Sequence, residues 1–143
     1  MNIAPLASRS SRLNGSQKNE LKVLIIDDDR KFTRLVKFAL EARTSFEVRV
    51  ENDPTVSLDA AYQFLPDIVI IEVVMPGMDG GDVLAQFHAD PIFSETPVIM
   101  LTGIVLPEEV DENQGCIGGQ FFMAKPVTVE ELGRAIEFHA RRQ

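Results

Sequence analysis

From Leu21 onward, short apolar runs alternate with stretches whose apolar residues recur every three or four positions. Leu21 to Asp27 (LKVLIID) is apolar and ends in carboxylates, the pattern of a strand covered on both faces of a parallel sheet. Phe32, Leu35, Val36, Ala39 and Leu40 then fall at helical spacing, with Arg and Lys between them. Phe46, Val48 and Val50 alternate with Glu47, Arg49 and Glu51, which predicts a strand with one wet face at a sheet edge. Asp53-Pro54 starts the next helix, a cap followed by proline in the first turn. Val56, Ala60 and Phe64 supply its inner face, and Pro66 ends it. Asp67 to Glu72 (DIVIIE) reads as a central strand running into an acid, MPGMDGG as turn chemistry, and Val83, Leu84 and Phe87 as a short helix. PVIMLT (97–102) and QFFMAK (120–125) are the fourth and fifth strands. Thr128 and Glu131 form a capping box for the last helix, whose apolar positions are Val129, Leu132, Ala135 and Ile136.

Two segments break the rhythm. Residues 1–20 are rich in Ser, Asn, Gly and basic side chains without an apolar period, which predicts a flexible leader ahead of one domain over 21–143. Between Gly103 and Gly119, Pro107-Glu108-Glu109 offers a helix start, but Gly115, Gly118 and Gly119 crowd its end, so only a poor turn or two is expected. Five strands alternating with helices predict an α/β fold, a doubly wound five-stranded parallel sheet with helices on both faces.

The chain of 143 residues suits one domain with an ordinary core. No apolar run approaches the ~20 residues of a membrane-spanning helix, and the first twenty residues lack a secretory apolar stretch. Fourteen basic against 22 acidic side chains leave a net charge of −8, and no basic stripe offsets it, which argues against direct nucleic-acid binding. Cys116 is the single cysteine; it excludes an internal disulfide, suits a reducing cytoplasm and reads as an ordinary thiol.

In an open α/β sheet, ligands bind outside the carboxyl ends of the strands. The residues at those ends are Asp27, Asp28 and Asp29, then Glu72, Thr102 and Lys125. Several acids converging there call for a cation, and oxygen-only ligands favour Mg²⁺. A threonine and a lysine opposite them suit a phosphoryl group once charge is screened. Together these side chains describe magnesium-assisted phosphoryl transfer onto a carboxylate.

IIDDD, PDIVIIEVVMPGMDG, PVIMLT and AKP, in that order and spacing over about residues 21–140, resemble the receiver domains of two-component signalling. The resemblance implies a flavodoxin-like sheet of order 2-1-3-4-5. It implies a weakly held Mg²⁺ or Mn²⁺ on Asp27, Asp28, Glu72 and the Val74 carbonyl, with Glu72 at the phosphoacceptor position. Thr102 and Lys125 would contact the phosphoryl group, a cis bond would join Lys125 to Pro126, and Phe122 would be the aromatic that moves with Thr102 on switching. The partners implied are a sensor histidine kinase or phosphotransfer protein and a downstream protein, with pairing through the fourth helix, fifth strand and fifth helix as one mode of self-association. The module itself would be cytoplasmic and not an enzyme.

Glu72 departs from the family's aspartate, and its extra methylene moves the carboxylate by up to ~1.5 Å. Phosphoryl transfer depends on positioning, so poor phosphorylation and a partly active-like state are expected. A competing reading is a haloacid dehalogenase-like phosphohydrolase using Asp27 and Asp29, but no acid pair follows Lys125 to complete its metal site. A metal-free scaffold would leave Asp27, Asp28 and Lys125 without a reason. Asp29 reads as a helix cap, Phe121 as packing, and His88 and His139 as structural, since neither has partners at metal-ligand spacing.

Overall fold

The computed structural model describes residues 20–103, 116–117 and 119–141. The expected leader and the helix start at Pro107 lie outside the described residues. The elements are β1 (Lys22–Ile26), α1 (Arg30–Arg43), β2 (Glu47–Glu51), a 3-10 turn (Pro54–Val56) leading into α2 (Ser57–Phe64), β3 (Ile68–Glu72), α3 (Gly80–Ala89), β4 (Val98–Thr102), β5 (Cys116–Ile117), β6 (Gln120–Ala124) and α4 (Val129–Ala140).

The helix starts are set by side chains that satisfy the first free N–H groups. Asp29 accepts from Phe32 N–H at 3.0 Å, Asp53 from Thr55 N–H at 3.0 Å, and Asp79 from Asp82 N–H at 3.0 Å. Thr128 and Glu131 close the expected capping box, with both bonds at 3.0 Å. Asp29 is therefore a cap, as its place after β1 implied.

The sheet runs β2-β1-β3-β4-β6-β5. The first five strands are parallel and follow the expected order, with β2 at the edge. The sixth, β5, was not anticipated: Cys116–Ile117 pairs antiparallel with β6, Ile117 opposite Gln120. Gly119 sits at φ +84°, a conformation that glycine adopts without penalty. Gly119, read from sequence as part of the end of a weak helix, instead lies in the turn ahead of β6.

Alternate residues of the buried strands feed two cores. Val23, Ile25, Ile68, Ile70, Ile99 and Leu101 pack under α1 and α4 with Val36, Leu40, Leu132 and Ile136. Leu24, Ile26, Val69, Ile71, Val98 and Met100 pack under α2 and α3 with Ala60, Ala61, Phe64, Val83 and Phe87. Period-2 alternation sends successive side chains to opposite faces, so a strand that is apolar throughout has a helix on each side. That sandwich pins the strand ends, and with them the residues that follow.

Candidate functional site

β1 leads into Asp27, β3 ends on Glu72, β4 ends on Thr102, and β6 leads into Lys125. These strands are neighbours in the middle of the sheet, so their ends form one cluster. Thr102 is fully buried, and its carbonyl accepts the Lys125 N–H at 2.7 Å. The Lys125-Pro126 bond is cis, as implied by the AKP motif.

The Lys125 ammonium bridges two carboxylates. Its Nζ lies 2.8 Å from Asp27 Oδ2 and 2.8 Å from Glu72 Oε1. Phe32, in the first turn of α1, places its ring centroid 4.1 Å from the same nitrogen, close enough for cation–π attraction. The other carboxylate oxygens are engaged too. Asp27 Oδ1 accepts the Asp29 N–H at 2.9 Å, and Glu72 Oε2 accepts the Val74 N–H at 3.2 Å.

The surrounding chain fixes these groups. Asn52 Nδ2 donates to the Asp27 carbonyl at 2.7 Å and to Thr33 Oγ1 at 3.1 Å, tying the end of β2 to the start of α1. Gly80 N–H donates to the Val73 carbonyl at 2.8 Å. A Cβ on Gly80 would stand 2.2 Å from the Glu72 carbonyl oxygen and 2.9 Å from Val73 Cα, so α3 can start this close to the end of β3 only through glycine.

Burial pushes the Asp27 carboxyl above its ordinary range, and the bonds from Lys125 and Asp29 offset this only in part. Burial also pulls on Lys125, in the downward direction. There the hydrogen bonds and charges of Asp27 and Glu72 win, and the ammonium is held more firmly protonated than a free lysine. The cluster is thus a buried acid pair bridged from within by one lysine.

The structure brings Asp27, Glu72, Thr102 and Lys125 together, and Asp28 is close in sequence but exposed. Val74 is exposed, and its N–H rather than its carbonyl touches Glu72. Among the described residues, no three acid, histidine or cysteine side chains converge closely enough to hold a metal. Asp27 and Glu72 both close on Lys125. The donor chemistry itself, carboxylates and a nearby carbonyl, suits Mg²⁺ or Mn²⁺. Phe122 is half-buried against the core under α2 and α3, while Phe121 faces the opposite core and stacks on His139 at 4.2 Å. His88 is exposed in the last turn of α3, and Cys116 is half-buried in the edge strand.

Residues 23–137 match the family model of the response regulator receiver domain. The chain belongs to this family. Solved receiver structures agree. The receiver domain of the Francisella response regulator 1452 is 27% identical, with a TM-score of 0.71 over 85% of this chain and 98% of that one. The chemotaxis protein CheY4 of Vibrio cholerae is 27% identical, with a TM-score of 0.72 over 84% and 98%. The N-terminal domain of a response regulator receiver protein from Methanoculleus marisnigri is 28% identical, with a TM-score of 0.62 over 86% and 98%. The chain is therefore a two-component receiver domain with the flavodoxin-like fold. The phosphohydrolase reading finds no support, and Asp29, its acid/base candidate, is occupied in capping α1. No described helix is long and apolar enough to cross a membrane.

Three residues that shape this receiver's site were not singled out from sequence. Phe32 reads as one more apolar position of α1 and Gly80 as turn chemistry, while Asn52 belongs to no pattern in the sequence. Only Gly80 carried a signal, because MDGG places glycine directly after the Asp79 cap.

Proposed function

We propose that this receiver domain serves a two-component phosphorelay with Glu72 at the phosphoacceptor position, as a poor phosphoryl acceptor biased toward the active-like state. The Asp27–Lys125–Glu72 bridge carries the reading, because Glu72 already occupies the ammonium that an incoming phosphoryl oxygen would need. The longer side chain also displaces the attacking oxygen by up to ~1.5 Å, and in-line transfer tolerates little misplacement. Its single charge compares with about −1.5 to −2 for a phosphoryl group. A charge-assisted hydrogen bond is worth roughly 1.5–3 kcal/mol, whereas full reversal of a two-state switch needs about 5.5 kcal/mol. The bias is therefore partial, with Thr102 and Phe122 as the switching pair.

Asp27, Asp28, Glu72 and the Val74 carbonyl are the proposed ligands for Mg²⁺ or Mn²⁺. Affinity is low, with several waters retained, because Lys125 already pairs with two of the acids. When bound, the ion would screen the negative charge of a phosphoryl group. The proposed partners are a sensor histidine kinase or phosphotransfer protein upstream and a protein effector downstream, in the cytoplasm, with no turnover of a substrate by the domain itself.

The test is phosphotransfer from a small acyl-phosphate donor, read by intact mass, on this chain and on Glu72→Asp. Label on Glu72→Asp but not on the unchanged chain is expected. A phosphate adduct mapped to Glu72 in the unchanged chain would overturn the reading.

A further inference from the structure

β2 is the outer strand on one side of the sheet. The Glu47 N–H donates to the Leu21 carbonyl at 2.8 Å, and the Glu51 carbonyl accepts the Asp27 N–H at 3.2 Å. In a parallel ladder the residues between them turn their backbone groups the other way, so Val48 and Val50 face away from β1. Lys37 and Glu41 of α1 reach over that edge and stand in for a neighbouring strand at Val48. Glu41 Oε2 accepts the Val48 N–H at 2.9 Å, and Lys37 Nζ donates to the Val48 carbonyl at 2.7 Å. The same Glu41 oxygen lies 2.9 Å from Lys37 Nζ, which closes the ring. Burial pushes the Glu41 carboxyl up, but the Val48 N–H and Lys37 outweigh it and hold the group below its ordinary range. The ring is therefore charged at neutral pH.

Under this latch lies a self-complementary sequence, Glu47-Val48-Arg49-Val50-Glu51. Antiparallel pairing of two copies about Val48 sets Val48 against Val48, each giving one N–H and accepting one. It also sets Glu47 of either copy against Arg49 of the other, at positions where cross-strand side chains stand closest. Both of these pairs are of opposite charge. Among the described residues neither Glu47 nor Arg49 is engaged in an ion pair. Pairing about Arg49 instead would place Arg49 on Arg49 and Glu47 on Glu51, like on like. Pairing about Val50 would set Arg49 against Glu51, whose Oε2 already accepts the Asp53 N–H at 3.1 Å. It would also run into Asn52, which is held to the Asp27 carbonyl at 2.7 Å. The favourable register is centred on the residue that Lys37 and Glu41 cover.

We propose that the outer edge of β2 is a pairing site for a second copy of this chain, and that Lys37 and Glu41 form a latch which must open before the two strands meet. Closed, the latch satisfies the Val48 N–H and carbonyl; open, it releases both to the second copy. The latch side chains are 43% and 35% exposed, so rotation into solvent opens it without moving α1. Neither latch nor edge includes Glu72 or Lys125, and the association does not depend on phosphorylation.

Sedimentation velocity over a concentration series compares the unchanged chain with Lys37→Ala plus Glu41→Ala, both compatible with a helix. Opening removes charge-assisted hydrogen bonds that compete with pairing, so self-association should tighten at least about tenfold. Glu41→Gln, which keeps the side chain's shape but loses its charge, should fall between the two. In the open background Glu47→Arg and Arg49→Glu should each stay monomeric on their own. Their equimolar mixture should dimerise, because it restores both opposite-charge pairs. Amide hydrogen exchange places the contact: the Val48 N–H of the open variant should exchange fast when dilute and slowly when concentrated. Association no tighter in the open variants than in the unchanged chain would overturn the proposal. So would a dimer that survives either charge change alone, or one that leaves Val48 exchange as fast as in the dilute sample.

Discussion

Replacing Lys125 with methionine keeps most of the side chain's length and removes its charge, leaving Asp27 and Glu72 to face each other without a cation. Their side chains are only 3% and 8% exposed, so water cannot take over the role of the ammonium. Removing one member of a buried ion pair costs roughly 3–5 kcal/mol. Lys125 is itself 20% exposed, which places the loss near the lower end, about 3 kcal/mol. For a folded body of this size, that is roughly 10 °C in Tm. The loss should depend on pH in a definite direction. Asp27 already has a folded pKa above the ordinary 3.8, so the fold gives up stability as pH rises through that window. Without Lys125 the Asp27 carboxyl shifts further up, and the deficit of the variant grows from about pH 4 toward neutrality. In the unchanged chain, the raised pKa of Lys125 keeps its contribution through neutral pH, and it is lost only as pH rises beyond the ordinary 10.5. Mg²⁺ should restore part of the variant's loss, since a ligand at a hundred times its Kd adds about 2.7 kcal/mol. Urea unfolding at pH 4.5 and 7.5, with and without Mg²⁺, measures all of this. A deficit under about 1 kcal/mol, or one equally large at both pH values, would refute the idea that Lys125 stabilises the pair.

Phe32→Leu should remove the ring beside the ammonium while keeping an apolar side chain, at a cost of about 1 kcal/mol. Lysine side-chain NMR should then show the Lys125 ammonium exchanging faster with water; an unchanged signal would remove Phe32 from the site. Gly80→Ala must displace backbone at Glu72 and Val73, so a loss of roughly 1–3 kcal/mol is expected, together with shifted amide resonances from Glu72 to Val74. Wild-type stability in this variant would mean that α3 tolerates moving away from β3. Relaxation-dispersion NMR should find exchange near Thr102 and Phe122 on the microsecond-to-millisecond scale, altered in Glu72→Asp and Glu72→Gln. Superimposable, exchange-free spectra of the three proteins would leave a fixed binding module in place of a biased switch.

Much of this receiver was legible in its sequence because short-range physics wrote it there. Strands buried on both faces must be apolar throughout, and LKVLIID, DIVIIE and PVIMLT are. Caps act over two or three residues, so Asp29, Asp53 and the Thr128–Glu131 box mark where their helices begin. The end-of-strand rule then gathers Asp27, Glu72, Thr102 and Lys125 at one end of the sheet from sequence alone. Tertiary structure decided how those residues meet. That Lys125 reaches Asp27 and Glu72 at once, leaving Asp28 outside, depends on the relative positions of β1, β3 and β6, separated by up to 98 residues in the chain. Phe32 looked like any core position of an amphipathic helix because periodicity reports which face of α1 is covered, not what covers it. An open groove that Gly133 lines between α1 and α4, beside Phe46 and Phe138, was equally invisible, since the space beside a glycine is defined by the helix that packs next to it. Local patterns repeat within a few residues and can be read from one segment, whereas the partner of a charge or the neighbour of a helix face is set by segments distant along the chain.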